Sequence, residues 1–92
     1  MKITDVRIFI RTADQLKAFA NIVIEDAFVI KNIKVIEGAK GLFIAMPSAK
    51  NKNGVYRDIA HPLNTETRDQ IEKLILEKYQ EAVKLPPATE EE

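Results

Sequence analysis

The side chains able to do catalytic chemistry are few. Ser48 is the only serine, His61 the only histidine, and Asp58 lies three residues before that histidine. A hydrolase built on them would use Ser48 as nucleophile, His61 as general base and Asp58 to orient the imidazole. It would need all three within hydrogen-bond reach in a concave site. No nucleophile-elbow glycine pattern surrounds Ser48. The preferred reading is that His61, set before Pro62, caps a turn through its ring nitrogens. One histidine and no cysteine leave a metal ion only carboxylates to bind. The absence of cysteine also removes thiolate nucleophiles and disulfides, which fits a reducing cytoplasm. The residues therefore predict no enzyme: no catalytic or metal-binding residue, no cofactor and no small-molecule substrate.

The stronger chemical signal is cationic. Arg7, Arg11, Lys17, Lys31 and Lys34 fall in strand-like segments, Lys40, Lys50 and Lys52 in loops, and Arg57 follows Tyr56. Strand pairing that gathers several of these on one face would attract a polyanion. Asn51, Asn53 and Tyr56 supply amide donors and a stacking ring beside them. The alternative is a scattered basic surface whose lysines protect strand edges from aggregation. Gly38-Ala39-Lys40-Gly41 has the GxxG spelling of a loop that grips nucleic-acid backbone between two helices. Here it joins two strand-like runs, so a hairpin turn is expected, with Lys40 at its tip in reach of phosphate.

The chain has 92 residues, with fourteen Lys+Arg against fourteen Asp+Glu, but the charge is segregated. Residues 1–63 hold ten basic and six acidic residues, +4; residues 64–84 carry −1, and residues 85–92 carry −3. A neutral total thus does not exclude a polyanionic partner. A hydrophobic fraction of 46% and a charged fraction of 30% exclude wholesale disorder. No apolar run approaches the roughly 18–20 residues of a membrane span, and residues 1–5 do not read as a secretory signal.

The elements that must position these residues follow from periodicity. Residues 3–11 alternate, with Thr4, Val6, Ile8 and Ile10 on one side of a half-buried strand. A turn at residues 12–15 leads to a second strand carrying Leu16, Ala18, Ala20, Ile22 and Ile24 on one face. After Glu25-Asp26, residues 28–37 form a third, with Val29, Ile33 and Val35 sharing a face with Lys31, opposite Ile30, Asn32 and Lys34. Residues 42–46 form a fourth strand, which Pro47 ends. Connections this short demand an antiparallel meander. Residues 48–54 read as an exposed loop, and residues 55–59 as a possible fifth strand.

Asn64 or Thr65 caps a helix expected to run to Val83, with Glu66 and Asp69 in its first turn, where the dipole favours acids. Ile71, Leu74, Ile75, Tyr79 and Ala82 form its apolar stripe. Lys78 lies at or near the stripe's edge, Leu76 falls on the polar side, and Arg68 projects near the stripe at the helix start. Glu66, Asp69, Glu72, Glu77 and Glu81 make the outward arc acidic, so the helix end rather than its length suits a phosphate contact. Pro86 and Pro87 stop the helix. The fold expected is α+β: an antiparallel four- to five-stranded sheet followed by one long C-terminal helix, a single domain over residues 1–84, with residues 85–92 a disordered acidic tail.

Residues 41–48, GLFIAMPS, residues 56–64, YRDIAHPLN, and then Thr67-Arg68 closely resemble the SpoVG (stage V sporulation protein G, septation regulator) family. Residues 3–7, ITDVR, and 33–38, IKVIEG, match as well, so the likeness spans about residues 1–79. The resemblance implies a bacterial cytoplasmic regulator, usually a dimer, that binds DNA and RNA without catalysis and is linked to septation and sporulation. It implies nucleic-acid contacts at Lys50, Arg57 and Arg68, with Lys34 on a basic strand position. Two positions depart from the family pattern: Ala49 and Lys50 stand where two basic residues are usual, with Lys52 two residues on, and Phe9-Ile10 stand where adjacent arginines often follow. The departures imply weaker or differently directed binding. A homodimer is also expected on physical grounds, because a chain this small has open sheet edges to cover. The alternative function is a protein–protein adaptor in cell division or regulation, using a sheet edge or the Leu76 side of the helix.

Overall fold

The computed structural model describes residues 2–84. Six strands precede one helix: β1 (Ile3–Ala13), β2 (Leu16–Ile24), β3 (Phe28–Gly38), β4 (Gly41–Ala45), β5 (Ser48–Lys50), β6 (Tyr56–Asp58) and α1 (Thr65–Val83). The first four form an antiparallel meander in the order β1-β2-β3-β4, and β5 and β6 form a separate two-stranded sheet. The expected α+β fold is present. Residues 48–54, expected as a loop, instead open the second hairpin. Its second strand, β6, falls within the fifth strand expected at residues 55–59, whereas β5 has no apolar alternation to announce it; both are exposed throughout. The expected tail, 85–92, lies outside the described residues.

One face of the large sheet is covered by α1. The buried core joins Ala18, Ala20 and Ile22 of β2, Ile33 and Val35 of β3, Ile44 and Met46, and Ile71 and Ile75 of the helix. Small residues at positions 18 and 20 let the helix approach the middle of the sheet, while isoleucines fill the space around them. Val6 and Ile8 pack against this core from β1, as their alternation requires.

The phase of β3 departs from simple alternation. Ala20 pairs with Ile33, but Ile22 pairs with Ile30, so Lys31 and Asn32 together oppose one β2 residue, Asn21. This β-bulge adds a residue to β3 and flips the strand's phase. Ile30 therefore joins the core with Ile33 and Val35, and Val29 is left exposed. Asn32 has φ 66°, a left-handed conformation that asparagine tolerates better than most residues. Its N–H donates to Asn21 Oδ1 at 3.2 Å, which explains why Asn21, a polar residue, is only 4% exposed. A second irregularity lets Leu16 pair with Ile36 while Ala18 pairs with Val35, removing Leu16 from the inward set. Thr4 is likewise displaced by an irregularity in β1. Its hydroxyl donates to the Val23 carbonyl at 3.3 Å and accepts from Asp26 N–H at 3.0 Å.

Candidate nucleic-acid interface

The site grows from the join between the small sheet and the helix. After Met46 and Pro47 the chain enters β5, and Ile59 N–H donates to the Pro47 carbonyl at 2.7 Å, fastening the end of β6 beside the end of the large sheet. The turn between the small strands is organised by Asn51. Its Oδ1 accepts from the N–H groups of Asn53 and Val55 at 2.9 and 3.0 Å, and its carbonyl accepts from Gly54 N–H at 3.0 Å. Gly54 has φ 81°, which an L side chain would strain. Lys52 stands in this turn. Lys50 pairs with Tyr56 across the ladder, its ammonium 5.7 Å from the ring centroid. At an exposed site such a contact contributes about 0.5–1 kcal/mol, enough to bias the lysine toward the ring.

Asn64 begins the helix as expected. Its backbone is extended, and its Oδ1 accepts from Thr67 N–H at 2.7 Å. The burial of the helix is rotated from the stripe the sequence suggests. Ile71 and Ile75 are buried, but Leu76, expected on the polar side, packs against the core with Tyr79. Glu72, expected in the outward acidic arc, is half-buried. The cause is the free edge of β4. Ile44 N–H donates to Glu72 Oε2 at 3.3 Å, and the Ile44 carbonyl accepts from the Arg68 guanidinium at 3.3 Å. Two side chains one turn apart thus satisfy both backbone groups of one edge residue, which draws residues 68, 72 and 76 toward β4. Lys78 is at the stripe's edge, more than half exposed and 3.9 Å from Glu81.

Between β6 and the start of α1 lies an open cavity of ≈ 690 Å³. Arg57 and Arg68 both line it, as do Tyr56, Asp58 and His61. Among the described residues the Arg57 side chain has no hydrogen-bond or ion-pair partner, so its charge is available to a ligand. His61 Nδ1 lies 3.0 Å from the Pro62 carbonyl. A carbonyl only accepts, so this nitrogen carries the proton and the ring closes the turn, as the sequence suggests. Ser48 does not line the cavity with Asp58 and His61. A smaller apolar cavity of ≈ 100 Å³, lined by Ile22, Met46 and Ile71, shares His61 and Pro62 as its wall.

Of the five basic residues singled out from sequence, the structure brings two, Arg57 and Arg68, to one cavity. Lys50 lies against the ring of Tyr56, one of the lining residues, and Lys52 sits in the hairpin turn. Lys34 is elsewhere. It belongs to the row Phe9, Phe19, Lys34, Ala45 running across the four strands on the sheet face away from the helix. The Arg11 guanidinium stacks over Phe19 in that region, 5.4 Å from its centroid. Periodicity gives no sign of Glu72 or of its bond to Ile44. Asp58 reads from the sequence only as a catalytic partner.

Residues 1–81 match the family model described as SpoVG. A protein named "Putative septation protein SpoVG" from Lachnospira eligens is 57% identical over 83 residues, which cover 89% of this chain and 94% of the relative. Its namesake from Agathobacter rectalis is 58% identical over 80 residues, 86% and 92% of the two chains. That from Bdellovibrio bacteriovorus is 52% identical over 84 residues, 91% and 78%. The matched segment runs from the first strand through all but the end of the helix and takes in the whole cavity: the chain belongs to the SpoVG family.

Proposed function

We propose that this chain is a non-enzymatic regulator that binds DNA or RNA, acting in septation as its relatives' names describe, in the cytoplasm and as a homodimer of the domain spanning residues 1–84. The observation that carries this reading is that two arginines, Arg57 and Arg68, line one open cavity together with an exposed tyrosine whose ring lies beside Lys50. Guanidinium forks engage phosphate oxygens, and an aromatic face stacks any base. Lys52 extends the positive surface along the hairpin, and Lys34 adds a separate charge on the open sheet face. The uncovered face, with Phe43 exposed on β4, and the free strand edges support self-association, although Arg68 and Glu72 already occupy the edge at Ile44.

Salt-titrated binding to random single- and double-stranded pools tests the reading. Removing one phosphate-binding cation should lower the slope of log K against log salt by about 0.7–0.9. The Lys50/Lys52/Arg57 triple alanine should therefore lower it by roughly two to three units while staying folded. An unchanged slope refutes the site. Light scattering that reports a monomer at micromolar concentration refutes the dimer. A protein–protein adaptor is the second reading, favoured by Leu63, which is 91% exposed on the cavity rim. The helix half of that reading has no anchor, because Leu76 packs inward.

A further inference from the structure

Asp58 is the anomalous group in the cavity. A carboxylate between Arg57 and His61 opposes the binding of a phosphate backbone, so its presence calls for another cause. The fold does not supply one. Asp58 pairs with Ser48 through the backbone ladder, where an exposed position accepts many residue types, and the helix beyond is capped by Asn64. Among the described residues its side chain has no hydrogen-bond or ion-pair partner, and neither Arg57 nor Arg68 forms an ion pair with it. An ionised carboxylate only accepts hydrogen bonds. Asp58 is exposed and water satisfies it in the free protein, so a ligand that displaces that water has to supply a donor in its place.

The nucleobases differ sharply in what they offer a carboxylate. Guanine alone places two adjacent donors, N1–H and the 2-amino group, on its Watson–Crick edge, at the spacing of the two carboxylate oxygens. Adenine and cytosine put a ring acceptor beside their one amino group there, which a carboxylate repels, and thymine and uracil flank their one N–H with two carbonyls. The guanine pair is free only when the base is unpaired. The other walls suit the rest of such a nucleotide: Tyr56 offers a ring for stacking, Arg57 and Arg68 offer guanidinium groups to phosphate, and ≈ 690 Å³ is within the range of small-ligand sites.

We propose that the cavity between β6 and α1 holds an unpaired guanine nucleotide, with the Asp58 carboxylate accepting from N1–H and the 2-amino group. The inference rests on the nucleic-acid reading above and gives it a chemical preference: single-stranded, guanine-bearing segments over other sequence.

The test uses fluorescence anisotropy with the full chain at low salt and three labelled oligothymidylates of equal length. One is unmodified, one has a single central guanine, and one has hypoxanthine in that place, which lacks only the 2-amino group. The guanine probe should bind about five- to tenfold more tightly than the hypoxanthine probe, the effect of one hydrogen bond to a carboxylate in a site open to water. Asp58→Ala, which leaves no side-chain acceptor, should erase that difference. Because it also removes a negative charge, it should tighten binding of the unmodified oligothymidylate, a change that a merely structural role for Asp58 does not produce. Equal binding of the guanine and hypoxanthine probes by the unmutated protein overturns the proposal, as does a preference that survives in Asp58→Ala. If all three probes bind without discrimination, the guanine assignment alone fails. If none binds, the nucleic-acid reading fails and takes the guanine assignment with it.

Discussion

The contact between α1 and the β4 edge can be tested by replacing Glu72 with alanine. Glu72 Oε2 accepts the Ile44 N–H at 3.3 Å in a half-buried setting, while Arg68 donates to the carbonyl of the same residue. A well-formed hydrogen bond to a charged group contributes about 1.5–3 kcal/mol. The length of this one, and the water that reaches an edge strand, place it at the low end, near about 1.5 kcal/mol. Alanine is the better helix former by a few tenths of a kcal/mol, which offsets part of the loss. The net expectation for Glu72→Ala is about 1 kcal/mol of destabilisation. In a domain this size that lowers Tm by about 4–8 °C, and the urea midpoint by roughly 0.5–1 M. Glu72→Gln keeps an acceptor and should lose less than half as much. Thermal and urea denaturation followed by circular dichroism measure both variants. An alanine variant within about 0.3 kcal/mol of the parent refutes the edge contact, a threshold set by the usual effect of surface substitutions. A glutamine variant as damaged as alanine shows that charge, not acceptance, is what matters. The result also bears on function, because Arg68 holds the other half of Ile44. Stability of any Arg68 variant has to be measured before a loss of binding is assigned to its guanidinium.

Two further perturbations probe the sheet. Asn21→Ala removes the acceptor of Asn32 N–H from a site that is 4% exposed and should cost about 1–3 kcal/mol, read as a lower urea midpoint; an unaltered midpoint means that the bulge does not depend on this bond. Ile75→Ala empties part of the core where helix meets sheet, at a residue that is 0% exposed, and should cost about 2–5 kcal/mol in the same assay; a loss below about 1 kcal/mol contradicts the packing described.

The acid at position 58 shows how a residue's meaning changes with its surroundings. Beside His61 in sequence it looks like one member of a weak catalytic arrangement. In the fold it stands in a cavity with two arginines, and the imidazole next to it is committed through Nδ1 to the Pro62 carbonyl. Chemistry by proximity along the chain is replaced by chemistry by proximity in space.

The meander, its short turns and the helix with its Asn64 cap are legible from the residue order. They depend on interactions within a few residues: alternation, connection length, and an amide three residues from the N–H it accepts. The same order places Lys50, Lys52 and Arg57 on one stretch of chain. Periodicity cannot locate the bulge at Lys31-Asn32, since one extra residue depends on what lies across the ladder, and so it assigns Ile30 and Val29 to the wrong faces. Nor does it foresee the β5–β6 pairing, which has no apolar pattern; only the Asn51-to-Gly54 spacing hints at a turn. Packing in three dimensions is what turns Glu72 and Leu76 inward, because the unpaired Ile44 groups at the sheet edge are supplied by a strand 28 residues away from Glu72. It also brings Arg68 to Arg57 across one cavity while Lys34 stands on the opposite side of the sheet. Those positions are set by where the helix lands on the core, and a helix's own periodicity carries no information about the edge it will meet.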